Sequence, residues 1–301
     1  MTTRLDPAPP VLADGREVWL KREDLHELGA FKWRAALPVL EHYRQAGAKT
    51  VVTASTGNHG AATAWAAQQL GLDAVVFAPA QASATKLGHL RRLGADVRLG
   101  GADIDDAKGA GRSFAEAQQL PFFEDGAEPL QYEAYGAIAE EILDQLGAPP
   151  AAVVVPLGNG ALLGGIGAAL GRRSPETLRV GVAAKEAPVM VLSWGAGEPV
   201  ASDRCATIAD GLGVRVAIPY AVEALNASVD RMLLVSEREI AAAVAAFDRA
   251  GIRAEPAAGA AFAALPQLDD SDGAIVLLVT GGNIDEDLLA RCRDDLGSFP
   301  A

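Results

Sequence analysis

The sequence predicts an α/β protein made of two consecutive blocks, each on a mostly parallel sheet. Three observations carry this expectation. From Thr50 onward, apolar strands and helices alternate with short glycine turns between them, the pattern of a parallel sheet with crossover helices. Runs such as VVVP at 153–156 and IVLLV at 275–279 are apolar without interruption, as strands covered on both faces must be. Alanine-rich helices such as 237–250 supply the cover.

Taken in order, residues 1–15, MTTRLDPAPPVLADG, read as a mobile lead-in, with acidic residues, several prolines and no apolar core of signal-peptide length. GREVWLKRED then reads as a strand with a charged exit, and Phe31 to Tyr43 shows helical spacing of apolar residues, with Lys32 near its start. TVVTAS, DAVVFAP and ADVRLGG follow as strands, alternating with the helices NHGAATAWAAQQLG, ATKLGHLRRLG and 103–120. The charged stretch FFEDGAEP at 122–129 closes the first block. The second opens with a helix over 133–146, passes through the strand AAVVVP into a glycine loop, and alternates to the strand GAIVLLVT and a helix over 285–296. Residues 151–170 approach the length of a membrane span, but Pro156, Asn159 and the glycines among them suit a strand, a loop and a helix instead.

Composition excludes several classes. The chain has 301 residues, 50% of them hydrophobic, enough for a substantial core. Lys and Arg number 26 against 39 Asp and Glu, a formal net charge of −13, and no basic block interrupts that excess, so no nucleic-acid footprint is present. Cys205 and Cys292 stand alone, without a C-x-x-C pairing or a nearby His cluster, so neither a disulfide framework nor a zinc site is expected. The expected setting is cytoplasmic, with no membrane partner.

Chemistry concentrates in four segments. Lys32 lies in GAFKWRAA, where Ala30, Phe31 and Trp33 offer the desolvated flank that a lysine needs to lose its proton and form an imine. In ASTGNHG, at 54–60, a strand ends in small and hydroxyl residues, turns at Gly57 and enters a helix at Asn58 and His59. The N–H groups of such a helix start bind a carboxylate, and the Asn58 amide is placed to reach a ring hydroxyl; His59 on its own reads as a packing residue. In PLGNGALLGG, at 156–165, the backbone around Gly158, Asn159, Gly160, Ala161 and Leu162 is open to a phosphate. That loop lacks the lysine of a P-loop and the spacing of a dinucleotide fingerprint. Thr280 follows AIVLLV and precedes Gly281 and Gly282, where a neutral hydroxyl would hydrogen-bond a pyridine nitrogen without protonating it. Together the four make the parts list for pyridoxal 5′-phosphate, and hence for amino-acid chemistry.

KREDLHELGAFKWRAA, ASTGNHG, TIADGLGV at 207–214, EPAAGAA at 255–261 and VTGGNID resemble the serine/threonine dehydratase and serine racemase family of fold-type II pyridoxal-phosphate enzymes, from about Val18 to Asp285. The resemblance implies two three-layer α/β/α domains with mostly parallel sheets: a larger one made of 1–49 and 128–301, and a smaller mobile one, 50–127, carrying the substrate-carboxylate loop. It implies that Lys32 holds the cofactor as a Schiff base, that Asn58 faces the ring hydroxyl, that 158–162 binds the phosphate and that Thr280 faces the ring nitrogen. Ser55, Thr56, Asn58 and His59 would bracket the substrate carboxylate, and a homodimer is expected.

Departures from the family pattern also carry expectations. Where relatives place acidic ligands for a divalent cation, this chain reads GVAAKEAPVM, with Ala183 and Val189 at the ligand positions, so no metal is expected. Thr56 stands where the racemases carry a serine as second acid/base and is expected to be catalytic beside Lys32. FFEDGAEP and EAYGAIAEE differ from the usual borders of the substrate pocket, and no appended regulatory domain is expected. The expected activity is β-elimination from serine, threonine or another β-substituted amino acid, giving a 2-oxo acid and ammonia. Racemisation and cysteine-synthase-like β-replacement stay open as alternatives, as does a cofactor carrier without turnover.

Overall fold

The computed structural model describes residues 1–13, 15–202, 205–269 and 273–301. Its strands are β1 (Arg4–Pro7), β2 (Val18–Arg22), β3 (Thr50–Ala54), β4 (Asp73–Ala78), β5 (Asp96–Leu99), β6 (Ala152–Pro156), β7 (Leu178–Ala184), β8 (Arg231–Val235) and β9 (Ile275–Val279). Its helices are α1 (Pro10–Ala13), α2 (Trp33–Gln45), α3 (Asn58–Leu70), α4 (Ala84–Arg92), α5 (Ile104–Gln118), α6 (Pro129–Leu146), α7 (Ala161–Arg173), α8 (Val189–Ala196), α9 (Pro219–Ser228), α10 (Glu237–Arg249), α11 (Pro256–Ala263) and α12 (Glu286–Asp294). Among the described residues no helix is long and apolar enough to cross a membrane.

The chain divides into two compact units, one of Met1–Phe31 with Tyr135–Ala301 and one of Lys32–Ala134. By packing, α2 belongs to the smaller unit, because it lies along α3. The division therefore falls at Phe31 and Ala134, where the family pattern suggested 49/50 and 127/128.

In the larger unit the strand order is β1-β2-β9-β6-β7-β8, parallel throughout except for the antiparallel pair β1 and β2. Ala152, Val154, Leu277 and Val279 join a core cluster with Ala257, Ala258, Ala260 and Ala261 of α11 and Ile240 and Phe247 of α10. Their neighbours Val153, Val155, Val276 and Leu278 are equally buried. Successive side chains point to opposite faces, so the second set covers the other side of the sheet, where α7 meets β6 and β7. The smaller unit has the all-parallel order β3-β4-β5, with α3 and α5 on it and a core of Val52, Val75, Phe77, Ala107 and Ala115.

Residues 1–15 correct the expectation of a mobile lead-in: of those described, Arg4–Pro7 form the edge strand β1, paired antiparallel with β2, and Leu12 is wholly buried. A polar knot fixes this edge. The Lys21 ammonium, with no exposure, donates to the Thr3 carbonyl at 2.9 Å and to Glu141 Oε2 at 2.6 Å. The Thr3 hydroxyl donates to the buried Glu23 at 2.6 Å, and Leu5 N donates to Gln145 Oε1 at 2.8 Å. Removing one member of a buried ion pair costs about 3–5 kcal/mol. Lys21→Ala is therefore expected to lower the unfolding free energy, measured by urea denaturation, by an amount in that range. A loss under about 1 kcal/mol, typical of a surface pair, would show that the knot does not hold the edge.

Candidate active site

In the smaller unit Lys32 precedes the first turn of α2, and its ammonium donates to Asp125 Oδ2 at 2.7 Å. Its side chain is 15% exposed, open enough for a ligand to reach and closed enough to keep an ion pair. Asp125 lies in the turn that leads into α6, and the buried Gln131 braces it. Gln131 Nε2 donates to Asp125 Oδ1 at 3.2 Å, while Gln131 Oε1 accepts from Gly126 N at 2.8 Å.

The β3–α3 loop belongs to the same unit. Ser55 Oγ accepts from Gly57 N at 3.1 Å, closing a tight turn, and Gly57 caps α3 in extended backbone. Thr56 and Asn58 are half-buried there, at the positive end of a 13-residue helix. Gly60 is required: a Cβ would lie 2.6 Å from the Ser55 carbonyl oxygen. The structure corrects the expected role of the His59 side chain. The ring is only 6% exposed and stacks beside Phe123 with centroids 4.6 Å apart, so its packing reading holds and only its backbone is left to serve a carboxylate. Ring Nε2 lies 3.0 Å from Thr53 Oγ1 and 3.2 Å from the Phe123 carbonyl; ring Nδ1 lies 3.7 Å from Asp125 Oδ1.

In the larger unit two further segments sit at the C-terminal ends of adjacent parallel strands, where ligands of α/β sheets gather. The loop after β6 carries Gly158, Asn159 and Gly160 into α7. Gly160 takes φ +95°, a left-handed conformation that favours glycine, and Asn159 Oδ1 accepts from Ala161 N at 3.1 Å. A Cβ on Gly158 would lie 2.2 Å from the Gly211 carbonyl oxygen, so the segment TIADGLGV presses directly on this loop. That segment is tied in turn by Glu237, whose Oε2 accepts from Ile208 N at 2.7 Å and Thr207 Oγ1 at 3.2 Å.

After β9 comes Thr280, 2% exposed, with its hydroxyl buried and without a hydrogen-bond partner. Its carbonyl accepts from Phe31 N at 3.1 Å, which pins the residue just before Lys32. At Gly281 a Cβ would lie 2.7 Å from Glu255 Oε1, so glycine lets that carboxylate close on the backbone.

These features fit pyridoxal phosphate. An orphaned buried hydroxyl suits a ring nitrogen that accepts, a loop cleared of Cβ atoms at a helix start suits a phosphate, and an accessible amine suits an aldehyde. Ala183 and Val189 are fully buried apolar residues, and the described residues contain no cluster of His, Cys, Asp and Glu able to hold a metal. The sequence reading missed Asp125, Gln131 and the contact of Glu255 with Gly281; the charged turn EDG just before a helix was the visible signal for the first two.

A family described as pyridoxal-phosphate dependent enzyme matches residues 2–281. The chain belongs to that family. An L-threonine ammonia-lyase of Thermotoga maritima is 34% identical over 280 residues, covering 92% of this chain and 70% of that protein. The processed form of threonine deaminase isoform 2 from Solanum lycopersicum superposes with a TM-score of 0.92 at 28% identity, over 99% of this chain and 88% of that one. A fungal L-serine ammonia-lyase from Rhizomucor miehei gives 0.89 at 25% identity over 98% of both chains. The fold is that of fold-type II pyridoxal-phosphate enzymes, and the cofactor is pyridoxal phosphate.

Burial lowers the His59 pKa; the charges of Lys32 and Lys108 act in the same direction, and Asp125 and the Phe123 carbonyl oppose it. The unfolded chain takes up a proton here below about pH 6.5 that the folded chain refuses. The stability this group contributes is thus present above that pH and lost as the pH falls. The melting temperature is expected to drop from about pH 7.5 to about pH 5.5, and to drop less in His59→Gln. Equal drops in the two proteins would refute a neutral, buried His59.

Proposed function

We propose that the protein is a lyase that eliminates water or another β-substituent from serine, threonine or a related amino acid, releasing a 2-oxo acid and ammonia. The observation that carries the reading is the buried, unpartnered hydroxyl of Thr280 beside the phosphate loop. A hydroxyl is a neutral donor and leaves a pyridine nitrogen unprotonated, which shortens the life of the charge formed at Cα and favours loss of the β-group over transamination. The threonine and serine ammonia-lyases among its relatives support the same reading.

In this proposal Lys32 holds the cofactor, the backbone of Gly158, Asn159, Gly160, Ala161 and Leu162 binds its phosphate, Asn58 faces its ring hydroxyl and Thr280 faces its nitrogen. When bound, pyridoxal phosphate supplies a ring that takes up the electron pair left at Cα. Ser55, Thr56 and the first N–H groups of α3 hold the substrate carboxylate. The Lys32 amine, when free of the cofactor, would remove the Cα proton as general base. The Thr56 hydroxyl stands on the loop where a second acid or base would act, and accumulation of the opposite enantiomer instead of oxo acid would turn the reading toward racemisation. A cytoplasmic homodimer completes the proposal. The absence of a disulfide between Cys205 and Cys292 accords with a reducing compartment.

Borohydride treatment of the loaded enzyme is expected to fix one pyridoxyl group on Lys32, read by mass spectrometry of the digest. Label on another lysine would sink the assignment. Lys32→Ala is expected to lose turnover by at least about 100-fold, since it removes nucleophile and base together; wild-type turnover would exclude the mechanism. Sedimentation is expected to give twice the 31.0 kDa chain mass, and a single-chain mass would remove the dimer from the proposal.

A further inference from the structure

The hydrogen bonds around His59 determine which of its ring nitrogens carries the proton. The Thr53 hydroxyl has one proton and donates it to the Phe123 carbonyl at 2.7 Å. Towards His59 Nε2, at 3.0 Å, Thr53 Oγ1 therefore has only a lone pair to offer, and the Phe123 carbonyl, 3.2 Å away, is also an acceptor. Nε2 must be the donor. In a neutral ring Nδ1 is then bare, and burial favours the neutral ring. Yet Nδ1 faces an acceptor too, Asp125 Oδ1 at 3.7 Å, while Oδ2 of the same carboxylate accepts from Lys32 at 2.7 Å. Two acceptors facing one another, one of them hydrogen-bonded to an ammonium, make a place for a proton.

We propose that Asp125 and His59 are positioning residues that form a proton-holding pair for the Lys32 amine, His59 presenting a bare Nδ1 to the Asp125 carboxyl. The inference rests on the role of Lys32 proposed above. Once Lys32 has taken the Cα proton it is an ammonium. Passing that proton to Asp125 breaks an N–H bond and forms an O–H bond; ammonium and carboxylate become amine and carboxylic acid, with no change in net charge. A half-turn of the carboxyl and an approach of about 1 Å give the acid a hydrogen bond of ordinary length to Nδ1. The return path restores the ammonium, so the pair stores a proton and consumes none. Gln131 braces the carboxylate state, donating to Oδ1 while Oδ2 accepts from Lys32. The charged groups facing the ring are Asp125, Lys32 and Lys108, and of these only Asp125 accepts a proton from Lys32.

The test has two arms. In the apoprotein, long-range proton–nitrogen NMR of the histidine rings, with His59→Gln to assign the signal, is expected to show His59 protonated on Nε2 and bare on Nδ1 at about pH 8. A proton on Nδ1, alone or together with Nε2, overturns the proposal. In the holoenzyme, turnover of serine and threonine is measured across pH. His59→Gln keeps a donor toward Thr53 and Phe123 but lacks the second acceptor. It and Asp125→Asn are each expected to lower kcat by about 10-fold or more with KM within about 2-fold, and Asp125→Glu to recover part of the loss. The double variant is expected to be no worse than the weaker single one, as for residues acting as one unit. A kcat within about 2-fold of wild type in Asp125→Asn, or losses that multiply in the double variant, overturns it. If the wild-type enzyme turns over no β-substituted amino acid, the lyase reading fails, while the NMR result still decides the proton pair.

Discussion

Strand β9 constrains everything around it. Five consecutive apolar residues, Ile275–Val279, are buried on both faces and hydrogen-bonded in parallel to β2 on one side and β6 on the other. A strand so enclosed has no polar group to offer except where it stops. Because its neighbours run parallel, their chains emerge from the sheet at the same edge, and the polar and glycine-rich segments that follow β6 and β9 collect there. The Thr280 hydroxyl and the Gly158–Gly160 turn share that edge as a consequence of register.

Local pattern made most of the fold legible. The apolar runs and glycine turns place the elements from β2 to α6, the strands β6 and β9 and the helices α10 and α12 within a few residues, because a doubly covered parallel strand leaves a plain signature in sequence. The lead-in was not legible, since β1 exists only through pairing with β2 and through a lysine whose partner, Glu141, lies 120 positions further on. Prolines and charges there suggest mobility, and non-local pairing overrides them.

The site divides in the same way. Lys32, the 158–162 loop and Thr280 were visible because each is written into a short segment with its own chemistry. Asp125 was not, because its importance comes from a contact made across 93 residues, and a lone acidic side chain in a charged turn carries no mark of its partner. His59 shows the converse. Its place in ASTGNHG suggests a ligand, but Gly60, forced by the Ser55 carbonyl, draws the start of α3 tightly against the loop, and the ring turns inward to Thr53 and Phe123. Sequence shows which residue types are available; packing decides which atoms face outward.

The knot at β1 has a practical meaning for handling this protein. Thr3 contributes a backbone carbonyl to Lys21 and a hydroxyl to Glu23, both of which have no solvent exposure. Trimming the first few residues, or starting translation at a later codon, would open the edge of the six-stranded sheet. It would leave a lysine and a glutamate in the interior with part of their solvation gone. Thr3 is thus a piece of the buried sheet edge, and a substitution or cut there acts on the sheet and not on a loose tail.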